Sequence, residues 1–445
     1  LWLGWLVLNN WNPISATGST VASIVNVFSD AGNTRILLYS LAVGGTLTLM
    51  SATGGVQGFV NWLEKKRWVR NRTQAQLVPF LVGVLVTVES SITSLVAGTV
   101  GRPLTDRFKV SREKLAYICD STSAPICILV PFNGWGAFIL GLLAVQGVES
   151  PVALLFQSIR VNFYPMAAIV IVFLSIVRKW NLGPMKAAEL RAQHEGKLYG
   201  DDARPMVADD VVGVKPLEGI QYRAANLVAP VITMVVSIVV GIYVTGRLSA
   251  GEDAELWDII KASSGSMAVL WAVIMSLVVL AALNVLKGLP LSTFVDLVFK
   301  GMGGMIPVVS LLLLAFALGD AVRQLGTGVY VAGVISGVLS TKMAVIGLFL
   351  ISCFVAFSTG TSWGTFAVMV PIAIPMAITL GGSTPMFLAA VLGGGVFGDH
   401  CSPISDTTII SSMASASDHI DHVRTQIPFA TVGAAVTIVI YLIIT

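Results

Sequence analysis

Two distant stretches of this chain follow one plan. Glu89-Ser-Ser-Ile-Thr-Ser94 is followed by Asp120-Ser-Thr-Ser-Ala-Pro125, and Ser358-Thr-Gly-Thr-Ser362 is followed by Asp399-His-Cys-Ser-Pro403. Each copy sets a Ser/Thr cluster inside one apolar run and an Asp-to-Pro break inside a later one. Where a helix is interrupted within an apolar run, backbone N–H and C=O groups lose their partners, which is tolerated only beside protein or a water-filled cavity. Both interruptions must therefore be enclosed, and their repetition points to two internal copies of one unit.

The runs that carry these breaks are too many for a soluble core. Hydrophobic residues make up 55% of the chain and charged residues 11%, against roughly a quarter charged in ordinary soluble domains. Apolar runs near spanning length cover 35–51, 77–100, 115–147, 162–177, 224–246, 265–286, 305–319, 344–380, 386–412 and 427–444, which predicts an all-α polytopic protein in a lipid bilayer. The net charge of +3 is an orientation signal rather than a basic patch, so nucleic acid is not an expected partner. No HExxH or P-loop occurs, and no Cys spacing suits zinc, so neither an enzyme nor a cofactor is expected. Cys119, Cys127, Cys353 and Cys401 read as small buried thiols. The chain opens at Leu1 already inside an apolar stretch, which reads as part of a longer protein, and 1–30 reads as a span or an interfacial segment.

Basic residues set the topology. Loops 61–72, 101–114 and 178–223 are rich in Lys and Arg, which predicts that they lie in the cytoplasm beneath the plasma (inner) membrane. About 24 residues, 77–100, separate the first two loops, enough for one crossing but not two. A hairpin of two arms, about 11 residues and roughly 16 Å each, enters and leaves on one side and puts its tip at Glu89 to Ser94. The run 344–380 has the same shape with few flanking charges, so it reads as a hairpin entering from the opposite side. The predicted order is repeat 1 over 31–177 (hairpin 77–100, broken helix 115–147) and the loop 178–223. Linking spans and an interfacial helix over 224–303 follow, then repeat 2 over 304–426 (hairpin 344–380, broken helix 386–412) and a final span over 427–445. Inverted repeats with discontinuous helices are the architecture of secondary transporters.

Ionisable groups in a membrane are costly, so each is a functional candidate. Glu89, Asp120, Asp399 and Asp406 lie in or beside the interrupted helices, with no Lys or Arg in either hairpin, between Asp120 and Leu143, or between Pro385 and Met413. Such carboxylates need protons or a bound cation for balance. Ser121, Thr122, Ser123, Ser402, Ser405, Thr407 and Thr408 supply hard oxygen ligands, and Pro125 and Pro403 free backbone carbonyls. The hairpin-tip residues Ser90, Ser91, Thr93, Ser94, Ser358, Thr359, Thr361 and Ser362 are candidate ion or substrate contacts. Asp120 and Asp399 also suit simple helix caps. His400 reads either as a pH sensor or as a structural histidine. His419 and His422, with Asp418 and Asp421, read as a solvated loop, and Asn133 in Pro-Phe-Asn-Gly-Trp-Gly136 as a structural break.

The run Gly398-Asp-His-Cys-Ser-Pro-Ile-Ser-Asp-Thr-Thr408 resembles the signature of the NhaC family of Na+/H+ antiporters. Arg102-Pro-Leu-Thr-Asp106, Ser111-Arg-Glu-Lys-Leu-Ala-Tyr117 and Asp120-Ser-Thr-Ser-Ala-Pro125 are similar to members of the same family. The resemblance spans about residues 35 to 427. It implies inverted repeats, each with a re-entrant hairpin and a broken helix, a homodimer, an elevator-like motion, and exchange of Na+ or Li+ for H+. By the same resemblance, Asp399, Ser402, Asp406, Thr407, Asp120, Ser121 and Thr122 bind the ion, with Na+ at Asp399, Asp406 and Asp120. Many relatives carry consecutive Asp residues where this chain has Glu89-Ser90, a departure that bears on ion choice and proton count. The wider family includes exchangers of organic acids or amino compounds, which stands as the alternative reading.

Overall fold

The computed structural model describes residues 1–444 except 66–68, 86, 88–89, 206–215, 218, 252, 328–329, 331–332 and 334–339. Among the described residues every regular element is a helix, and the only β contact is an isolated bridge between Pro205 and Asp418. Among the described residues six helices are long and apolar enough to cross a membrane: Ala31–Ala52, Ala225–Ala250, Gly265–Lys287, Thr341–Thr359, Ser362–Thr379 and His419–Ile444. Two bent pairs raise the number to eight. A helix satisfies its own backbone, so outward side chains such as Ile232, Val236 and Val239 need no protein partner when they face acyl chains.

The first helix pair is Arg72–Leu85 with Ser90–Arg107, and the second is Thr341–Thr359 with Ser362–Thr379. The arms of the first pair have 14 and 18 residues rather than about 11, because helix continues past the apolar run into Arg72–Gln76 and Arg102–Arg107. Glu89 lies outside the described residues. In the second pair Gly360 ends the first arm at φ +67°, a left-handed cap that glycine adopts without a Cβ penalty. A Cβ there would also lie 2.7 Å from the Ile404 carbonyl oxygen, so this tip rests directly on the second broken helix.

The first broken helix runs Arg112–Ser121, stops at Thr122 and Ser123, resumes as Ala124–Leu129, and continues after a 43° bend as Gly134–Val145. Asn133 makes that bend. Its Oδ1 accepts from the backbone N–H of Trp135 (2.9 Å) and Gly136 (3.2 Å), while its Nδ2 donates to the carbonyls of Cys127 and Val130. The second broken helix is Thr384–Cys401, a non-helical stretch Ser402–Ser405, and Asp406–Ser415. Pro403 cannot donate to the ladder, and Ser405 restarts it by capping the Thr408 N–H.

The two broken helices and their helix pairs interlock. Thr384–Cys401 packs on its own helix pair, whereas Asp406–Ser415 packs on Ser90–Arg107 and on Arg112–Ser121. The last helix begins at His419, eight positions before the apolar run, and packs on Phe163–Val177, Thr384–Cys401 and Arg112–Ser121. His419 to His422 are therefore helical, and His422 is buried, contrary to the expected solvated loop. The four cysteines are buried free thiols, as read from their apolar surroundings.

Candidate functional site

Four chain ends converge at the two breaks: the end of Arg112–Ser121, the end of Thr384–Cys401, the start of Asp406–Ser415 and the start of His419–Ile444. Asp120 and Asp399 sit at the two C-terminal ends, 0% and 1% exposed. A helix C-terminus carries partial negative charge, so neither carboxylate is stabilised there as it would be at an N-terminus. Their position is poor for capping and suited to attracting a cation or proton.

Among the described residues Asp399 is held by hydroxyls. Ser405 Oγ donates to its Oδ1 at 2.8 Å and Thr407 Oγ1 to its Oδ2 at 3.2 Å. Asp120 Oδ2 accepts from Gln426 Nε2 at 2.6 Å and from Thr408 Oγ1 at 3.1 Å, with His422 Nε2 at 3.8 Å. Among the described residues Asp120 Oδ1 has no hydrogen-bond partner. Thr408 Oγ1 also faces the Asp399 carbonyl at 3.3 Å, so it joins the two halves. A hydrogen bond to a charged group contributes about 1.5–3 kcal/mol, whereas removing a carboxylate from water costs several and an uncompensated buried charge 3–5 kcal/mol. Two hydroxyls leave little margin for a bare Asp399, and one orphaned oxygen leaves Asp120 short.

The other expected residues divide. Asp406 heads its half-helix, is exposed, and accepts from the Thr407 N–H at 2.8 Å. Ser402 Oγ donates to the Phe357 carbonyl at 2.8 Å and so ties the second tip to the break. Thr122 Oγ1 turns back onto the Ile118 carbonyl of its own helix, and Ser121 is buried. In the first tip Ser90, Thr93 and Ser94 are buried and Ser91 is half-buried. Ser94 Oγ accepts from Ser411 of the second broken helix at 3.0 Å. In the second tip Ser358 and Thr359 are exposed, Thr361 caps its arm through the Gly364 N–H, and Ser362 is buried. Ser358, Thr359, Pro403, Ile404 and Asp406 are exposed on the second tip and second break, a surface called the mouth below, while Asp399 is buried. Among the described residues no three of His, Cys, Asp and Glu gather as a metal-holding group, so Asp399, Asp406 and Asp120 do not form one three-carboxylate cage.

His400 is a bridge. Its Nε2 faces the Asp120 carbonyl at 3.2 Å, which only accepts, so that nitrogen carries the proton; Nδ1 then accepts from Tyr164 Oη at 3.1 Å. Both ring nitrogens are occupied in the singly protonated ring, which favours the structural reading. Gln426 and His422 were absent from the expected site. Their only signal is the i, i+4 spacing that sets two polar side chains on one helix face, and Gln426 reaches both Asp120 and the His400 carbonyl.

Comparison with known proteins agrees with this architecture. The profile of the Na+/H+ antiporter family matches residues 136–445. A Haemophilus influenzae protein described only as uncharacterized is 30% identical over 99% of this chain and 85% of its own length. A malate-2H+/Na+-lactate antiporter of Bacillus subtilis is 32% identical over a local stretch, 21% of this chain and 20% of its own. The crystal structure of the Alcanivorax borkumensis YdaH transporter superposes with a TM-score of 0.56 at 13% identity, covering 95% of this chain and 87% of that one, which is a likeness of fold. With broken helices, buried carboxylates and a profile match over more than half its length, this membrane protein belongs to the Na+/H+ antiporter family.

Proposed function

We propose that this chain exchanges Na+ or Li+ for H+ across a bilayer, with Asp399, Ser405, Thr407 and Asp406 holding the cation and Asp120 carrying the proton. The observation that carries this reading is the pair of buried carboxylates at helix breaks, compensated by neutral donors rather than by Lys or Arg. Hydroxyl and carboxylate oxygens around Asp399 suit a small hard cation, and the exposed Asp406 beside it offers a first stop on the way in. Asp120, whose donors are an amide and a hydroxyl, has one oxygen free to take a proton. Resting on the same reading, the two copies are inverted repeats whose helix pairs re-enter the membrane. The chain works as a homodimer in the plasma membrane with loops 61–72, 101–114 and 178–223 in the cytoplasm, and the site is carried across by an elevator-like motion.

A second reading has one observation in its favour: the exposed hydroxyls of Ser358 and Thr359 at the mouth, together with the local likeness to an antiporter named for malate and lactate. In that reading a small organic acid is the cargo and Na+ or H+ the coupling ion. Purified protein in proteoliposomes with an internal pH dye separates the two. A pH change on adding NaCl or LiCl, but not KCl or choline chloride, is expected. Silence with every cation, and a response to malate or lactate instead, would favour the organic cargo.

A further inference from the structure

Beyond the two carboxylates, the start of the last helix holds a row of polar side chains that the exchange reaction as described does not use. His422 Nε2 faces Gln426 Oε1 at 3.0 Å and Asp120 Oδ2 at 3.8 Å. Its Nδ1 lies 2.8 Å from Ser412 Oγ, and the same oxygen lies 3.1 Å from His419 Nδ1. His419 Nε2 meets the Pro403 carbonyl at 2.6 Å, at the mouth. His422 and Ser412 are fully buried and His419 is half-buried, so the row runs from the interior to the surface.

The hydrogens in this row can be counted. The Pro403 carbonyl only accepts, so His419 Nε2 carries its proton and, in the neutral ring, Nδ1 is bare. Gln426 Nε2 donates to Asp120 Oδ2 and to the His400 carbonyl, which turns its Oε1 toward His422. His422 Nε2 is therefore the protonated nitrogen, and its Nδ1 is bare too. Both bare nitrogens face one hydroxyl, which has one hydrogen and a third acceptor, the Thr408 carbonyl at 2.9 Å. The row is one hydrogen short. A proton added to either Nδ1 donates to Ser412 Oγ, and Ser412 then donates to the other ring, so one extra proton completes the row.

We propose that His422, Ser412 and His419 form the route by which the transported proton passes between Asp120 and the mouth at Pro403. It rests on the reading of Asp120 as the proton carrier. Toward Asp120, His419 at the surface takes a proton from water on Nδ1 as its ring turns out and back, and this Nδ1 passes a proton to Ser412 as Ser412 passes its own to the bare Nδ1 of His422. His422 Nε2 then gives its hydrogen to Asp120 once their 3.8 Å gap closes, by a small rotation or through one water, and the reverse sequence carries a proton outward. Only protons move, and rotation of the rings and the hydroxyl resets the row. Gln426 is a positioning residue that holds His422 in line with Asp120.

The test compares two fluxes in proteoliposomes: Na+-driven proton movement by pH dye, and 22Na+/Na+ self-exchange, which needs no proton. In His422→Gln and Ser412→Ala, proton flux is expected to fall about tenfold or more, as for loss of a proton-transfer group, while self-exchange stays within about twofold of wild type. In His419→Ala, nearest the surface, added imidazole is expected to restore proton flux. Proton flux unchanged in His422→Gln and Ser412→Ala overturns the route. So does an equal fall of both fluxes, which would make the row a structural tie. Absence of proton flux with every cation in the wild-type protein would overturn the antiport reading and the route together.

Discussion

The two breaks share an Asp-to-Pro sequence pattern and differ in what their hydroxyls meet. At the first, the non-helical stretch is only Thr122 and Ser123, and both hydroxyls fold back onto carbonyls of their own helix, Ile118 and Asp120. At the second the stretch is Ser402–Ser405, and the hydroxyls that follow point at Asp399. Asp120 is closed in by Gln426, Thr408 and His422 from other elements, while Asp399 stands beside exposed Pro403, Ile404 and Asp406. A longer break leaves exposed residues and frees hydroxyls for Asp399, whereas a shorter one keeps them for the backbone. The proposed division of labour between cation and proton rests on that difference.

The largest effect should come from Asp399→Asn. It removes the charge that holds the cation, so both self-exchange and proton-coupled exchange should drop below about 1% of wild type, measured with equal protein in the vesicles. Asp120→Asn should be more selective. Proton coupling is lost while 22Na+ self-exchange survives, and loss of both would erase the proposed contrast between the breaks. Next, Ser405→Ala or Thr407→Ala removes one hydroxyl from Asp399. At about 1.4 kcal/mol per factor of ten, the apparent affinity for Na+ should weaken about tenfold in each, while Thr122→Ala changes it less than about twofold. An equal effect at Thr122 would mean that the first break is a cation site as well.

The smallest effect concerns the loop beside the second break. Burial pushes the Asp418 carboxyl up, but the N–H groups of Arg204, Asp421 and Ile420 outweigh it and hold the group below its ordinary value of 3.8. A lowered value means that the stabilisation is complete above the ordinary value and fades as pH falls through the lowered one. Limited proteolysis near Arg204 should therefore be unchanged from pH 7 to pH 5 and increase only in more acidic solution. In Asp418→Asn it should already be raised at pH 7.

Much of the site was legible because membrane burial makes polar residues conspicuous. Asp120, Asp399 and the prolines that follow them stood out in apolar runs, and the helices break beside them. The directions of the side chains were not legible. Ser402 and Thr122 looked equivalent to Ser405 and Thr407 in composition, yet one ties down the Phe357 carbonyl and the other its own helix. His422 lay in a stretch read as a solvated loop ahead of the span at 427–445, and Gln426 drew no reading of its own. A helix start rich in Asp, His and Arg has the same composition as a solvated loop, and only its packing on the two broken helices puts one face in the interior.

By itself, the sequence determined a helical membrane protein with two interrupted apolar stretches and carboxylates that lack fixed counter-charges. These follow from local physics: hydropathy, the missing proline N–H, and the cost of charge in hydrocarbon. Tertiary structure decided that Asp406–Ser415 lies against Ser90–Arg107 and Arg112–Ser121, that Asp120 faces Gln426 and His422, and that hydroxyls three to five residues apart, Ser402 against Ser405 and Thr407, divide between backbone and carboxylate. Those choices depend on which helix faces meet across some 300 residues of chain, from Asp120 to Gln426, and no local pattern encodes that meeting.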